Sequence, residues 1–312
     1  MGEESTSMEA EYDVIILGAG AAGLSAGLYT ARAMMNTLIL ESLGPGGQLL
    51  ITDEIENYPG FRNGVKGPEL SQEMEEQTTR FGAKLEYTEV EGLDDLDQPV
   101  KVVHTYDRDY TARAIIIATG GAHNKLGVPG EEAYAGKGVS YCAVCDGNFF
   151  RGQDVVVVGG GDSALDEGHY LSGIVNSVTI IHRRDELRGT KLLQERAFNN
   201  PKVKFLWSHV VEEFVGNDIL EIARVKDLKS EKVYDYPTAG AFIYVGFHPC
   251  TEYLQGTMEL DPLGHVYTAI HMRTNIPGVY ACGDARAEST RQLGAAVGDG
   301  ITAALAAYHD LS

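Results

Sequence analysis

Apolar, mostly branched residues gather in short runs that lead directly into glycine-rich segments. The first run covers residues 12–17, and the stretch beyond its glycines is rich in alanine and leucine as far as Ala33. A short continuous apolar run bounded by turn residues is typical of a strand buried on both faces, and the Ala/Leu-rich stretch predicts a helix. Residues 37–40 form the next apolar run. The pattern therefore predicts a strand, a turn, a helix and a second parallel strand.

The turn between the first strand and its helix has the sequence Gly18-Ala-Gly20-Ala-Ala-Gly23. Gly18 permits a tight bend, Gly20 lets a pyrophosphate approach the backbone, and Gly23 lets the helix pack closely. The helix N-terminus supplies N–H donors for the phosphates. Glu41 ends the next strand 23 residues after Gly18, where a carboxylate accepts hydrogen bonds from ribose hydroxyls. We predict a dinucleotide site formed by these four residues.

The same pattern recurs in the middle of the chain. Residues 154–158 form an apolar run, residues 159–164 a second glycine turn, residues 164–171 a predicted helix and residues 177–181 a further strand. A repeated strand, turn and helix predicts a second nucleotide site. Its predicted binding residues in the turn are Gly159, Gly161, Asp162, Ser163 and Ala164.

Basic residues follow the second strand of this repeat, where the first repeat has an acid. His182 stands at the same spacing from its turn as Glu41, Arg183 and Arg184 follow it, and Arg188 is close behind. Guanidinium groups bind a 2′-phosphate through bidentate, charge-assisted hydrogen bonds, whereas a carboxylate repels it. We therefore predict that the second site prefers NADP over NAD. The alternative is a surface arginine cluster at the start of a helix.

Two cysteines lie between the repeats, in the segment Cys142-Ala-Val-Cys145-Asp146-Gly. A Cys-x-x-Cys pair in a turn can close a disulfide, and the thiolate of one member attacks other disulfides. Zinc binding and a purely structural disulfide are the alternatives. Zinc needs two further ligands at suitable spacing, and the sequence has no second Cys-x-x-Cys or compact histidine pair, so we predict no metal. Asp146 is a candidate proton donor or acceptor, or only a turn residue before glycine. Cys250 and Cys282 are predicted to be structural.

The chain length indicates the number of domains, and the net charge argues against some classes of binding partner. The 312 residues suggest two domains. The formal charge of -20 argues against a nucleic-acid partner or an anionic membrane surface. The sequence has no apolar run of the roughly 18 to 20 residues that would span a bilayer. We therefore expect a cytoplasmic protein.

Taken together, these motifs resemble those of the low-molecular-weight thioredoxin reductases, a branch of the flavoproteins with two dinucleotide-binding domains. The resemblance covers nearly the whole chain from Glu11 onward. Its residues are Gly18-Ala-Gly20-Ala-Ala-Gly23, Gly46-Gly47-Gln48, Glu56-Asn57-Tyr58-Pro59-Gly60, Ala118-Thr119-Gly120, Cys142 to Gly147, Gly159 to Ala164, His182-Arg183-Arg184-Asp185 with Arg188, Gly283-Asp284 and Arg291-Gln292.

The resemblance implies an α/β protein with two Rossmann-like domains, in which the NADPH domain is inserted into a discontinuous FAD domain. The FAD domain would comprise residues 1–121 and 247–312, and the NADPH domain with the cysteine pair residues 122–246. Residues 279–284 are expected to form a strand that ends in an acid, and residues 292–308 the final helix. The residues implied to bind the flavin cofactor, beyond the first glycine turn and Glu41, are Gly47, Gln48, Asn57, Gly283, Asp284, Arg291 and Gln292.

The resemblance also implies the reaction, in which NADPH reduces FAD and the electrons pass to the cysteine pair. Cys145 would be the thiol nearest the flavin, Cys142 would attack the disulfide of thioredoxin, and Asp146 would act as acid and base. Family members are usually homodimers.

Three alternatives have the same core or cofactor. The first is a reductase with another disulfide or a peroxide system as acceptor, and the second is a dithiol oxidase that uses oxygen. The third is not an enzyme: a flavin-binding redox sensor would present Cys142 and Cys145 to a partner without steady turnover.

Overall fold

The computed structural model describes residues 9–312, so the first eight residues of the predicted domain 1–121 lie outside the described part. The chain divides into two compact units. The discontinuous unit comprises the residues up to Ala122 together with His248–Ser312, and the inserted unit comprises His123–Phe247.

The strands and helices alternate around the two glycine turns, and runs of consecutive strands connect these parts. In the first segment they are β1 (Tyr12–Leu17), α1 (Ala21–Arg32), β2 (Thr37–Glu41), β3 (Glu54–Ile55), β4 (Val65–Lys66), α2 (Gly67–Arg80), β5 (Lys84–Tyr87), β6 (Val90–Asp94), β7 (Lys101–Thr105), β8 (Asp109–Ile117) and β9 (Gly121–His123). In the middle segment they are β10 (Val139–Ser140), α3 (Ala143–Asp146), β11 (Asp154–Gly159), α4 (Asp162–Ser172), β12 (Ser177–His182), α5 (Lys191–Asn199), β13 (Val203–Trp207), β14 (His209–Gly216), β15 (Leu220–Asp227), β16 (Val233–Pro237) and β17 (Gly240–Tyr244). The last segment has β18 (Phe247–Pro249), β19 (Val279–Ala281) and α6 (Leu293–Leu311).

The discontinuous unit is built on a sheet whose parallel core has the order β5-β2-β1-β8, with β19 beside the second half of β8. β6 and β7 extend this sheet with antiparallel pairs. Val14 and Ile16 of β1 pack with helices α1 and α6, whereas Ile15 and Leu17 pack on the opposite face. Because both faces of β1 are covered, its last four residues are all apolar rather than alternating with polar ones.

The inserted unit has a five-stranded parallel sheet in the order β10-β17-β11-β12-β13 and an antiparallel sheet β14-β15-β16. Val155 and Val157 of β11 pack with α4, whereas Val156 and Val158 pack with Val211 and other residues of the antiparallel sheet. Both units therefore have the buried parallel strand, glycine turn and helix that the sequence predicts. The predicted α/β fold class is confirmed.

Three boundaries differ from the sequence prediction by two residues or more. α4 begins at Asp162 rather than at residue 164, because the helix starts directly after the last glycine of the turn. β19 ends at Ala281, and Asp284 lies in a following 3-10 turn, Gly283–Ala285, rather than in the strand. α6 extends three residues beyond the predicted end. Within residues 9–312, none of the helices combines the length and the apolar character needed to cross a membrane.

Replacing Gly168 with alanine is expected to stabilise the inserted unit. Gly168 lies inside α4, and a Cβ there would meet Ile180 and Val178 at 3.8 Å, which is ordinary van der Waals contact. Glycine in a helix interior costs about 0.5–1 kcal/mol relative to alanine. We expect Gly168→Ala to raise the free energy of unfolding by about that amount. The expected sign of this change is a higher midpoint of thermal unfolding of the holoenzyme.

The matched control is Gly23→Ala in α1. A Cβ on Gly23 would lie 1.8 Å from the Gly18 carbonyl oxygen, so this substitution is expected to lower the unfolding midpoint. A fall in the midpoint with Gly168→Ala would show that the helix does not tolerate the added methyl group.

Candidate functional site: two glycine turns and a cysteine pair

In both glycine turns the first glycine has no room for a side chain and a later glycine has open space. A Cβ on Gly18 would lie 2.5 Å from the Ala118 carbonyl oxygen, and a Cβ on Gly159 would lie 2.4 Å from the Tyr244 carbonyl oxygen. Both glycines have a positive φ, of 100° and 153°. Gly20 and Gly161, by contrast, have no heavy atom within 4 Å of such a Cβ. The first glycine of each turn therefore serves packing, whereas the later one leaves open space beside the backbone at the helix N-terminus.

Glu41 holds the first turn in shape. Its Oε2 accepts the Ala19 backbone N–H at 2.8 Å, and its Oε1 accepts that of Leu43 at 3.0 Å. The Gly46 N–H donates to the Ala19 carbonyl oxygen at 2.8 Å, which places the segment containing Gly47 and Gln48 beside the turn. The carboxylate thus lies at the mouth of the turn, where the sequence predicts a ribose.

Residues from distant parts of the discontinuous unit converge near this turn. The Asn57 amide donates to Gln292 Oε1 at 3.2 Å, although 235 residues separate them. Gln48 donates to the Gly121 carbonyl oxygen at 3.1 Å. Gly283 has a φ of 65°, and a Cβ on it would lie 2.9 Å from the Ala22 methyl group of α1. The fold thus brings the segments of Gly283 and Asp284 to the N-terminal end of α1.

Asp284 has a partly buried carboxyl group that contacts the loop of Ser289 and Arg291. Its Oδ1 accepts the Ser289 hydroxyl at 3.1 Å, and the Arg291 backbone N–H donates to the same hydroxyl at 3.2 Å. Burial raises the pKa of Asp284, and the Ser289 hydrogen bond and the Arg291 charge oppose this rise. Hydroxyl donors from a ligand would stabilise such a carboxylate.

In the second turn, Asp162 binds the loop that carries the basic residues. Its Oδ1 accepts the Thr190 backbone N–H at 2.6 Å, while the Arg188 N–H donates to the Gly160 carbonyl oxygen at 2.7 Å. Ser163 is exposed and Ala164 is buried. The loop is therefore fixed next to the turn by the Asp162 carboxylate and by a backbone hydrogen bond.

The predicted basic residues divide into two groups. Arg183, Arg184 and Arg188 are exposed, whereas His182 is buried. A Cβ on Gly160 would lie 2.4 Å from the His182 ring, so the ring packs directly against the turn. Burial lowers the pKa of His182, and the three arginines lower it further. The arginines are thus available to an anion, while neutral His182 shapes the turn.

The cysteine pair is a disulfide at the start of the short helix α3. The Cα atoms of Cys142 and Cys145 are 5.4 Å apart, and Cys142 Sγ accepts the Cys145 backbone N–H at 3.1 Å. Asp146, at the end of α3, accepts the Ser140 hydroxyl at 2.6 Å. Cys145 is exposed and Cys142 is partly buried. The three predicted catalytic residues therefore share one turn of helix and its N-cap.

The other two cysteines lie in environments that disfavour thiol-disulfide exchange. Cys282 is buried and Cys250 is partly buried. Burial raises the pKa of both thiols. A protonated thiol is a poor nucleophile, so these environments favour inert side chains.

Comparison with known proteins gives consistent matches over nearly the whole chain. A family model described as pyridine nucleotide-disulphide oxidoreductase matches residues 12–300. The chain belongs to the pyridine nucleotide-disulphide oxidoreductases. A thioredoxin reductase of Listeria innocua is 49% identical over 298 residues, which cover 94% of this chain and 92% of that protein.

Solved structures lead to the same family. The structure of Lactococcus lactis thioredoxin reductase is 47% identical with a TM-score of 0.94, covering 96% of this chain and 99% of that chain. The structure of T. acidophilum thioredoxin reductase is 36% identical with a TM-score of 0.92, covering 97% and 99%. The predicted family is confirmed, and with it an oxidoreductase activity of the thioredoxin-disulfide reductase type that uses FAD and NADPH.

The residues of this oxidoreductase fit a flavin dinucleotide in the discontinuous unit. Gly20 leaves open space at a helix N-terminus, and Asp284 is a partly buried acceptor. The hydroxyls of Thr119 and Tyr253 are buried and interact with each other. Open backbone at a helix N-terminus and a partly buried carboxylate are what a bound polar cofactor would complete.

Sequence reasoning missed one group of residues near this site. His265 is buried, and its Nδ1 lies 3.2 and 3.1 Å from the two Asp261 carboxylate oxygens. Its Nε2 lies 3.4 Å from an Arg291 guanidinium nitrogen. Burial alone would raise the pKa of Asp261, but hydrogen bonds from the backbone of His265 and Leu263 and the His265 ring lower it. The contact between Asp261 and His265 could not be predicted from the sequence, because an acid four residues before a histidine in a loop is not a recognisable motif.

Proposed function

We propose that this enzyme reduces the disulfide of a thioredoxin, with Cys142 as the attacking thiol, Cys145 as the resolving thiol and Asp146 as acid and base. The observation that supports it most directly is the Cys142–Cys145 disulfide at the start of α3 with a carboxylate in the same helical turn. Two cysteines three residues apart can exchange between disulfide and dithiol without a change in the fold around them.

We assign the two nucleotides to the two units. The proposed FAD-binding residues are Gly18, Gly20, Gly23, Glu41, Gly47, Gln48, Asn57, Gly283, Asp284, Arg291 and Gln292. The proposed NADPH-binding residues are Gly159, Gly161, Asp162, Ser163, Ala164, Arg183, Arg184 and Arg188, with His182 supporting the turn. The inserted unit, His123–Phe247, would thus be the NADPH domain. FAD, when bound, takes up the two electrons of NADPH and makes them available to the cysteine disulfide.

The exchange with thioredoxin balances in two steps. The Cys142 thiolate attacks one sulfur of the thioredoxin disulfide, so that a mixed disulfide forms and one thioredoxin thiolate leaves. The Cys145 thiolate then attacks Cys142 Sγ, which restores the enzyme disulfide and releases the second thioredoxin thiolate. Asp146 would take the proton from the attacking thiol and return it to a leaving thiolate. Two electrons and two protons pass to thioredoxin.

The setting of this reaction is part of the proposal. The partner would be a thioredoxin or a thioredoxin-like protein in the cytoplasm, and the enzyme would be a homodimer. The formal charge of -20 argues against nucleic acid or an anionic membrane as a partner. A different disulfide or peroxide-system acceptor remains the second candidate, because the cysteine chemistry would be the same.

Anaerobic stopped-flow absorbance tests the function. The holoenzyme is mixed with NADPH or NADH, and oxidised thioredoxin is added in a second mix. We expect bleaching of the flavin that is much faster with NADPH and is reversed by thioredoxin. Bleaching without reoxidation by thioredoxin would contradict the acceptor and leave the reductase chemistry standing. Bleaching by neither nucleotide would contradict the proposed electron donor.

A further inference from the structure

Ser140 connects the proposed acid and base with the backbone of the attacking cysteine. It is the last residue of β10, and its side chain is buried. Its Oγ lies 2.6 Å from Asp146 Oδ2 and 3.1 Å from the Cys142 backbone nitrogen. The same oxygen lies 3.2 Å from the Cys142 carbonyl oxygen.

The direction of these hydrogen bonds follows from the number of hydrogens. A serine hydroxyl has one proton to donate and can accept others. The Cys142 N–H donates to Oγ, so the single hydroxyl proton is left for an acceptor. The carboxylate is both the closer and the charged acceptor, and hydrogen bonds to charged groups are the stronger ones. The chain therefore runs from the Cys142 N–H through the Ser140 hydroxyl to the Asp146 carboxylate.

We propose that Ser140 is a positioning residue that holds the Asp146 carboxylate in a fixed orientation for proton transfer during the exchange with thioredoxin. This inference rests on the proposed role of Asp146. A side chain that must exchange a proton with a nearby sulfur loses rate when it samples other rotamers, because the reactive geometry is then populated less often. Ser140 limits that freedom and ties the carboxylate to the backbone of the residue it serves.

A second buried residue with a hydroxyl group contacts the same turn and provides a matched control. Tyr244, at the end of β17, accepts the Ala143 backbone N–H on its phenol oxygen at 3.0 Å. Burial raises the pKa of Tyr244, and the charges of Glu167 and Asp146 raise it further. Tyr244 thus accepts a backbone N–H of the cysteine turn as Ser140 does, but its hydrogen bond goes to Ala143 and not to Asp146. The loss of its hydroxyl should leave the hydrogen bond between Ser140 and Asp146 in place.

The test separates the two half-reactions of the holoenzyme. Flavin bleaching by NADPH is followed by stopped flow, and the pre-reduced enzyme is mixed with oxidised thioredoxin in a single turnover. We expect Ser140→Ala to slow the thioredoxin step about tenfold, a small part of the roughly 10²- to 10⁴-fold that general acid-base catalysis contributes. Bleaching by NADPH should stay within about twofold, because the side-chain hydrogen bonds of Ser140 to described residues go to Cys142 and Asp146. Ser140→Thr, which keeps the hydroxyl, should restore most of the rate.

Tyr244→Phe and Asp146→Asn complete the comparison. Tyr244→Phe is expected to leave the ratio of the two half-reactions unchanged. Ser140→Ala should have no further effect on the thioredoxin step when Asp146→Asn is already present, because the two residues act through one group. The inference would be overturned if Ser140→Ala slowed the thioredoxin step equally with Asp146 and with Asp146→Asn. It would also be overturned if Tyr244→Phe slowed this step as much as Ser140→Ala does, since the Ser140 hydroxyl would then support only the fold.

The same variants distinguish failure of the inference from failure of the proposed function. If Asp146→Asn slows the thioredoxin step and Ser140→Ala does not, the inference is wrong and the role of Asp146 stands. If Asp146→Asn leaves the step unchanged, the proposed acid and base is wrong, and the inference falls with it. Flavin content and circular dichroism of each variant show whether the protein has folded.

Discussion

Replacing Cys142 with serine is expected to abolish thioredoxin reduction while leaving NADPH able to bleach the flavin. The hydroxyl of serine is a far weaker nucleophile than a thiolate, and no disulfide can form with Cys145. Loss of an attacking nucleophile typically costs several orders of magnitude, so we expect turnover to fall roughly 10³-fold or more. Steady-state thioredoxin reduction and anaerobic bleaching, measured on the same preparation, check both halves of the result.

Cys145→Ser distinguishes the two thiols. It leaves Cys142 free to attack but removes the residue that resolves the mixed disulfide. The probe is a single-cysteine thioredoxin whose sulfur forms a disulfide with an aromatic thiol. In Cys145→Ser, we expect Cys142 to displace the aromatic thiolate and to remain in a stable disulfide with thioredoxin. Non-reducing electrophoresis detects this complex. If Cys142→Ser forms the complex and Cys145→Ser does not, the roles of the two cysteines are reversed.

Cys250→Ser is the control for the mere loss of a thiol. Burial raises the pKa of Cys250, so its thiol stays protonated and takes no part in exchange. This variant should retain thioredoxin reduction. A loss as large as that of Cys142→Ser would show that a third thiol carries electrons.

Removing Arg183 and Arg184 together is expected to raise the Michaelis constant for NADPH by about 10- to 100-fold and to leave that for NADH within about twofold. Hydrogen bonds to charged groups contribute about 1.5–3 kcal/mol, and each 1.4 kcal/mol is a factor of ten. Both side chains are exposed beside the second glycine turn, where a 2′-phosphate would be the group that distinguishes the two nucleotides. Initial rates at varied NADPH and NADH measure the ratio.

Arg224→Ala controls for the change in overall charge. Arg224 lies in β15 of the antiparallel sheet and forms ion pairs with Glu213 and Asp235. Its loss removes a positive charge from the same unit at a different sheet, so the preference for NADPH should stay as it is. If the double variant at Arg183 and Arg184 weakens NADPH and NADH equally, the arginines do not bind the 2′-phosphate.

Much of the fold could be predicted because its signals are local. Residues 12–17 and 154–158 are predicted to be buried strands because each contains four consecutive apolar residues, and both strands are covered on two faces. The spacing of the glycines predicted a tight bend at Gly18 and close helix packing at Gly23, and in the structure a Cβ at either position would collide with a backbone carbonyl oxygen. Cys142 and Cys145 could be paired because three residues of a helical turn bring their Cα atoms within 5.4 Å.

Other contacts depend on segments that meet only in the folded chain. The buried contact between His265 and Arg291 brings two loops together, and the bond between Asn57 and Gln292 spans 235 residues. Neither leaves a periodic pattern in the sequence. The place of Asp284 in a turn rather than a strand likewise follows from how closely Gly283 packs on Ala22.

The sequence by itself therefore determined the two strand-turn-helix repeats, the cysteine pair and the reversed charge after the second repeat, since each depends on residues close together in the chain. The tertiary structure decided which side chains support them. It separated buried His182 from the exposed arginines, and it placed the Ser140 hydroxyl on Asp146. Hydrogen-bond partners and burial depend on distances in space, and those distances exist only after the strands have paired and the helices have packed.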